Sequence, residues 1–296
     1  MQEDCDVVDG TVVTMRALPA GANIREIGED VRAGAVVLFS GDRLRPQDVA
    51  MAASVGRARI EVYRRLRVAV LATGDELRAP GHVLPPGCIH DSNRYFCAAM
   101  LRGLGFEVTD FGVVPDDPRR IRERLIQAAG SHDLVLTSGG VAGGDEDHVV
   151  SAVAPLGSVA SRSIAMKPGK GVPLGDIGGV PFIGLPGNPA AAMVVLVMVA
   201  RPLALRLAGA NRIEPHRFQV AAGQVFARSP DRRHFLRGHL EHDSSGVLTV
   251  RKFRSDSSGM LSSLTWSDGL IDLRPGDSPI PACDPVDFIP YSEFLA

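Results

Sequence analysis

The stretch LVLTSGGVAGGDED, from Leu134 to Asp147, decides the fold of this chain of 296 residues. A short apolar run that ends at glycines predicts a buried strand that stops at the edge of a sheet. Gly139 and Gly140 let the backbone turn sharply and approach a ligand closely. Open α/β sheets bind ligands at the carboxyl ends of their strands. We therefore expect the functional site at this edge.

Strand and helix patterns alternate on both sides of that stretch. Further strands are predicted at LRVAVLA, at FEVTDFGVV, at Ser163 to Met166 and at Val180 to Leu185. Helices are predicted to begin at Asn93, Pro118, Asp147 and Pro189. The alternation predicts an α/β fold with a doubly wound, mostly parallel sheet covered on both faces, a three-layer α/β/α domain.

The rest of the chain has different sequence patterns. The first residues are rich in turns and β-formers, and a connector follows with a strand-like AVVLF and a helix from Pro46 to Val55. The last part shows short alternating strands and no clear helix, which predicts a small β-barrel. The predicted divisions are a β-rich remnant at 1–34, a partly helical connector at 35–66, the α/β domain at 67–208 and the barrel at 209–296.

Composition excludes several classes of function. The net charge of -2 gives no basic field for nucleic acid. The four cysteines are widely spaced, which indicates a reducing cytoplasm rather than a disulfide framework or a zinc site. The longest apolar run, from Ala190 to Ala200, is too short to cross a bilayer. We therefore expect no nucleic-acid or membrane partner.

Five loops should meet at the carboxyl edge of the sheet. Glycines and helix N-termini suit an oxyanion such as phosphate, whereas Glu76, Asp116 and Asp147 would repel one unless a cation intervenes, and hard oxygen ligands favour Mg²⁺. Each loop alone has an ordinary explanation as a turn or a helix cap, and only their joint placement is specific. The predicted ligand-binding residues are Thr73, Gly74, Asp75, Ser92, Asn93, Ser138, Gly139, Gly140, Asp145, Lys167, Gly169, Lys170, Pro186, Gly187, Asn188 and Pro189.

The motifs TGDEL, DDP, SGG, AMKPGK, LPGNP, RRHFLRGHL and SSGMLSSL, in this order, resemble the molybdopterin molybdenumtransferase family, which includes the C-terminal domain of gephyrin. The resemblance covers nearly the whole chain. It implies a pterin-binding α/β domain, a C-terminal β-barrel and a homodimer. It also implies an enzyme that inserts molybdate into adenylylated molybdopterin, depends on Mg²⁺ and releases AMP.

By the same resemblance, Glu76, Asp116 and Asp147 match the essential acids that would act in catalysis and hold the metal. The KPGK and PGNP segments match stretches that line the site, and Asp30 matches a further acidic position.

The sequence also departs from the family pattern. The resemblance implies a preceding helical segment with a DGYA-like motif, which is not among these 296 residues, and Ala142 and Gly171 replace the usual residues of two loops. A non-catalytic molybdopterin-binding module, or a partner of a full-length relative, is therefore the alternative function. A phosphohydrolase that acts on a nucleotide through the same loops is a third.

Overall fold

A computed structural model describes residues 2–15, 17, 19–140 and 148–295 of the chain. The chain divides into two compact units, 1–60 and 61–296. The first unit begins with a 3-10 turn at Gln2–Asp4. It then contains β1 (Cys5–Val8), β2 (Thr11–Thr14) and α1 (Pro46–Ser54). The predicted helix from Pro46 is thus confirmed.

The two strands of the first unit form a hairpin whose register pairs Val8 with Thr11. The two residues between them, Asp9 and Gly10, have φ of 51° and 77°, as the turn of a two-residue hairpin requires. The predicted strand at AVVLF is wrong, because residues 35–39 have no strand geometry. An apolar run becomes a strand only where a neighbouring strand pairs with its backbone.

The second unit contains an α/β part and a β part. The elements of the α/β part are β3 (Arg67–Thr73), β4 (Leu77–Arg78), β5 (Ile89–His90), α2 (Asn93–Gly103), β6 (Glu107–Val114), α3 (Pro118–Ala129), β7 (Leu134–Ser138), α4 (His148–Val153), β8 (Val159–Ser163), β9 (Met166–Lys167), β10 (Gly171–Ile177), β11 (Val180–Leu185), α5 (Pro189–Val195) and α6 (Arg201–Leu207). Those of the β part are β12 (Phe218–Ala222), β13 (Arg233–His242), β14 (Leu248–Lys252), α7 (Ser262–Trp266), β15 (Gly269–Leu273) and β16 (Pro285–Pro290), before a 3-10 turn at Tyr291–Phe294.

The central sheet has the strand order β6-β3-β7-β11-β10-β8. The first four strands are parallel, and β10 and β8 add an antiparallel edge. Strand β10 was not predicted, because Gly171, Pro173 and Gly175 are residue types that usually occur in turns. The strand predicted from Ser163 to Met166 is instead divided between β8 and β9.

Helices cover both faces of this sheet, as predicted. Alternate residues of β3 point to opposite sides, so that Val68 and Val70 pack with α2 and α5, while Ala69 and Leu71 pack with α3 and α4. Full burial of one such aliphatic side chain contributes roughly 1.5–3 kcal/mol. The three-layer α/β/α fold is therefore confirmed.

The apolar segment Pro189–Leu207 is one continuous helix with a π-helical turn at Leu196–Ala200 between α5 and α6. By length and composition it could cross a membrane, with a mean hydropathy of 1.9, but 67% of its most apolar window is buried inside the protein. Its residues pack against the sheet. The segment is thus the core helix of the domain, which explains why α5 and the π-helical turn carry no charged residue.

The C-terminal strands close into a five-stranded barrel, because β13 pairs with both β14 and β15, and β12 pairs with both β14 and β16. Strand β15 was not predicted, since Asp272 interrupts its apolar pattern. This buried carboxylate is bound by Arg217 and Arg233. The short helix α7 contradicts the expectation of no helix in this region.

Candidate functional site

The four parallel strands end side by side. The register pairs Thr73 with Val114, Ala72 with Ser138 and Ser138 with Leu185. The loops that follow β3, β6, β7 and β11 therefore begin at one edge of the sheet, here called the carboxyl edge. Strand β10 runs antiparallel to β11, so that its first residue, Gly171, also lies at this edge. The predicted convergence of the loops thus follows from the strand register.

Two acidic loops are bound to each other at the carboxyl edge. The N–H of Asp75 donates to Asp116 Oδ2, and the N–H of Asp116 donates to Asp75 Oδ1, each over 3.2 Å. The carboxylate of Glu76 folds back over Gly74, where a Cβ would lie 2.5 Å from Glu76 Oε2. We call Asp75, Glu76 and Asp116 the acidic side of the site.

Asp116 is the residue of the acidic side whose carboxyl pKa is shifted. Burial raises the pKa of its carboxyl, and the charges of Asp75 and Glu76 raise it further, while the N–H bond from Asp75 and the charge of His148 oppose the shift. Its Oδ1 is buried and has no hydrogen-bond partner within the described residues. A carboxylate in this setting gains from a cation or a proton.

The glycine turn after β7 presses against the loop after β3. Gly139 and Gly140 have φ of 86° and 64°. A Cβ at Gly139 would lie 2.4 Å from the carbonyl oxygen of Thr73, and one at Gly140 would lie 2.5 Å from Thr73 Oγ1. Only glycine fits such a turn. The N–H of Gly139 donates to Leu185 O over 3.2 Å, so this group is already used within the site.

Asn93, the first residue of α2, connects two of the loops. Its Nδ2 donates to Ser138 Oγ over 3.0 Å and to Gly187 O over 2.7 Å. Ser92 precedes it as the N-cap residue and makes no side-chain cap hydrogen bond. The N-terminus of α2 was expected to offer free N–H groups, but the N–H of Arg94 is bound by Asp91 Oδ1.

A second helix start is also occupied. Asn188 is the N-cap of α5, and the N–H of Ala190 donates to Ser258 O of the barrel over 2.9 Å. The expected open N–H at this position is therefore satisfied by the C-terminal part of the chain. Pro186 and Gly187 lie next to Asn93 through the amide contacts, with Pro186 O at 3.5 Å from Nδ2.

The KPGK segment joins the sheet to the barrel. Lys167 is the last residue of β9, which pairs with β13 so that Lys167 lies opposite His234. The Lys167–Pro168 peptide is cis, and Gly169 packs so closely that a Cβ would lie 2.7 Å from Val195 Cγ2. Lys170 immediately precedes β10. The segment thus lies between the carboxyl edge and the barrel.

Around Lys167 the barrel supplies two further cationic side chains and a histidine. We call Lys167, His234, Arg237 and Lys252 the basic corner. Burial lowers the pKa of His234 to about 4, and the charges of Lys167, Arg237 and Lys252 act in the same direction, opposed by Asp256. Burial alone would raise the pKa of Asp256, but a hydrogen bond from Lys252 and the nearby cations lower it.

Arg237 is the most buried member of the basic corner, with 1% of its surface exposed. Its Nε donates to Ser263 Oγ and its Nη2 to the carbonyl oxygens of Ser255 and Ser257. Nη1 is buried and has no hydrogen-bond partner in the part of the chain that the structure describes. Burial lowers the pKa of this guanidinium. Sequence reasoning did not select His234 or Arg237, because both lie within an alternating strand.

Asp145 and Asp147, which the sequence places at the site, lie outside the described residues. Within the described residues, no three acidic, histidine or cysteine side chains converge closely enough to hold a metal ion. Glu76 and Asp116 therefore supply the only predicted metal ligands that the structure describes. Asp30 belongs to the first unit, where it lines a cavity with Arg25, Glu29 and Ser54.

The comparisons with known proteins agree with this architecture. Residues 69–206, which contain the central sheet and its carboxyl edge, match the model of the probable molybdopterin binding domain. Residues 219–291 match the MoeA C-terminal region (domain IV), and residues 1–56 match the MoeA N-terminal region (domain I and II). The chain belongs to the molybdopterin molybdenumtransferase family, a family of enzymes.

Individual relatives cover the chain almost completely. The molybdopterin molybdenumtransferase of Haemophilus influenzae is 35% identical over 100% of this chain and 74% of its own length. Molybdopterin molybdenumtransferase 2 of Mycobacterium tuberculosis is 35% identical over 90% of this chain and 66% of its own length. The crystal structure of the molybdopterin biosynthesis MoeA protein from Pyrococcus horikosii has a TM-score of 0.75 at 27% identity and covers 97% of this chain and 70% of that one. The chain thus spans about two thirds to three quarters of these relatives.

Proposed function

We propose that this chain takes part in molybdenum cofactor biosynthesis as a molybdopterin molybdenumtransferase. The reaction would insert molybdate into adenylylated molybdopterin, depend on Mg²⁺ and release AMP. The names of the relatives support the transferase activity. The observation that carries the proposal is the crowded Asp116, whose buried Oδ1 lacks a partner among the described residues at the same sheet edge as the glycine turn.

Mg²⁺ fits the acidic side of the site. Glu76 and Asp116 would hold it together with Asp147, and the bound ion would neutralise carboxylates that otherwise repel an anionic substrate. The reciprocal bonds between Asp75 and Asp116 keep the carboxyl groups of these two residues in place without a ligand. A preformed acidic group of this kind loses little entropy when the metal binds.

The substrate anions fit the other side. The turn at Gly139 and Gly140 packs tightly against Thr73 at the carboxyl edge, and Lys167 and Lys170 bring positive charge. Phosphate and molybdate both carry negative oxygens, which the charges of these lysines attract. The remaining predicted ligand residues, including Thr73, Ser138 and the PGNP turn, would enclose the pterin.

Substitution of Glu76 tests the proposed roles. Glu76→Ala should lower Mg²⁺-dependent molybdate insertion at least about a thousandfold, because it removes a ligand of the metal. Molybdopterin binding, measured by calorimetry, should change less than about threefold. Glu123→Ala, which removes an exposed glutamate of α3, is the matched control and should leave both quantities unchanged.

Three outcomes separate the possible functions. Equal loss of binding and turnover in Glu76→Ala would contradict the assigned roles. Molybdopterin binding by the unchanged chain without cofactor formation would support a non-catalytic binding module or a partner of a longer relative. Release of AMP from a simple dinucleotide, without molybdate or molybdopterin, would indicate a phosphohydrolase.

We further propose a homodimer, a cytoplasmic location and the four-part division at 34, 66 and 208. The family resemblance supports the dimer, and the free cysteines Cys5, Cys88, Cys97 and Cys283 support a reducing compartment. Light scattering of the purified chain would measure the mass of the particle directly.

A further inference from the structure

The side-chain amide of Asn93 binds two loops of the protein. Only 9% of its surface is exposed. Its side-chain nitrogen faces the carbonyl oxygen of Gly187 at 2.7 Å, and a carbonyl can only accept, so the group at this position must be the NH₂. A primary amide has two N–H donors. The second donates to Ser138 Oγ at 3.0 Å.

Buried charged residues hold the first turn of α2, and with it Asn93, in position. Asp91 accepts hydrogen bonds from the N–H and the Nε of Arg94, and the guanidinium of Arg94 also binds Asp110 on β6. Asp91 and Arg94 are 3% and 5% exposed. Buried charge pairs with several hydrogen bonds resist rearrangement. The first turn of α2 is therefore a rigid base for the amide.

The two partners of Asn93 belong to different strands. Ser138 ends β7 and leads into the glycine turn, and Gly187 follows β11. Apart from the amide, the N–H of Gly139 bonds to Leu185 O at 3.2 Å, which is long for an N–H···O bond. The amide thus adds two shorter connections across the same gap.

We infer that Asn93 is a positioning residue that sets the separation of the Ser138–Gly140 turn from the Pro186–Gly187 turn. Both donors of its amide are used by the protein, so the NH₂ group acts on a bound ligand through these two turns. This role deepens the proposed function and rests on it, since it takes the two turns to be the walls of the molybdopterin site.

The first test needs no ligand. Hydrogen exchange of the full chain would be followed at Gly139 and Gly187 in Asn93→Ala, with β3 as an internal reference. Loss of the two bonds should speed exchange at Gly139 by about tenfold or more, the effect of losing about one net hydrogen bond. Asn93→Asp should act more strongly, because it sets a carboxylate against the carbonyl of Gly187.

The second test uses molybdopterin and a double-mutant cycle. Asn93→Ala and Ser138→Ala should each weaken the molybdopterin affinity measured by calorimetry about tenfold. The double variant should also lose about tenfold in affinity and no more, because both changes break the same connection. Arg102→Ala, an exposed change at the far end of α2, should affect neither exchange nor binding. Ser138→Ala provides the same exchange measurement if Asn93→Ala does not fold.

Each result decides a different statement. Unchanged exchange at Gly139 in Asn93→Ala and Ser138→Ala would overturn the positioning role. Additive losses of affinity, with unchanged exchange, would make Asn93 a ligand contact. Faster exchange in a chain whose unchanged form binds no molybdopterin would preserve the link between the turns and reject the proposed function.

Discussion

The acidic side and the basic corner of the site respond to burial in opposite ways. Burial raises the pKa of Asp116 on the acidic side and lowers the pKa of His234 in the basic corner, so each loses its own charge more easily. Like charges add to both shifts. Each region also has a buried polar atom without a hydrogen-bond partner among the described residues, Asp116 Oδ1 in one and Arg237 Nη1 in the other.

The two regions thus carry side chains of opposite charge against the cost of burial. An unpartnered buried polar atom costs roughly 1–3 kcal/mol. A cation at the acidic side and an anion at the basic corner would remove both costs. A ligand that carries an anion and is accompanied by a metal ion therefore suits the pair better than either charge alone.

The largest expected effect is at the glycine turn. Gly139→Ala should lower the free energy of unfolding by about 3 kcal/mol, because a Cβ would meet the Thr73 carbonyl and because the residue has a positive φ. Gly178→Ala is the matched control, since Gly178 has φ of 59° and open space around its Cβ position. It should cost only about 1 kcal/mol.

Denaturant titration of both variants measures this difference. Equal losses would mean that the backbone conformation alone sets the cost and that the approach of the turn to Thr73 is not tight. The acidic loop would then have no firm geometric relation to the turn after β7.

The next effect concerns the basic corner. Burial, together with the charges of nearby cations, lowers the pKa of His234 from 6.5 to about 4. As pH drops below about 6.5, the unfolded chain binds a proton that the folded chain does not, and stability is lost until about pH 4. The loss should reach up to about 3 kcal/mol.

Thermal unfolding between pH 7 and pH 4 would measure this loss, and His234→Gln should remove most of it. His242→Gln, at an exposed position of the same strand, is the control and should retain the pH dependence of the unchanged chain. A flat profile in the unchanged chain would show that His234 accepts a proton in the fold, and the basic corner would then be less crowded than the contacts indicate.

Much of the fold follows from local sequence. Strands β3, β6, β7 and β11 were predictable because each contains β-forming apolar residues and ends at turn residues. Strand β10 was not, since Pro173 and two glycines imitate a turn, and β15 was not, since Asp272 belongs to a buried ion pair that only the folded barrel creates. Propensity is overridden wherever a partner distant in sequence satisfies the residue.

The same distinction applies to the site. The proximity of Asp75 and Asp116 was predictable, because parallel strands bring their carboxyl ends together. The basic corner was not, because His234 and Arg237 reach Lys167 only through the pairing of β9 with β13. The occupied helix start at Ala190 depends on Ser258, which is also distant in sequence. Nothing in the local pattern could specify these contacts.

The smallest effects come from two adjacent aspartates with opposite behaviour. The pKa of Asp116 is raised in the folded chain, so its ionised form opposes folding. This cost is absent at pH values below the pKa of the group in the unfolded chain, and it grows as pH rises through the pKa in the folded chain. Asp117 has a lowered pKa, chiefly because it accepts the N–H groups of Arg120 and Arg119 as the N-cap of α3. Its contribution is present at neutral pH and is lost on acidification.

Asp116→Asn should therefore raise the midpoint of thermal unfolding at pH 7 by about 1–2 °C, a small value because solvent screens a partly exposed group. Near pH 3 the midpoint should hardly change. Asp117→Ala should lower the midpoint at pH 7. Addition of Mg²⁺ should stabilise the unchanged chain and Asp117→Ala but not Asp116→Asn. If Asp116→Asn instead destabilised the metal-free chain at pH 7, the carboxylate would be an ordinary structural acceptor, and the acidic side would no longer require a cation.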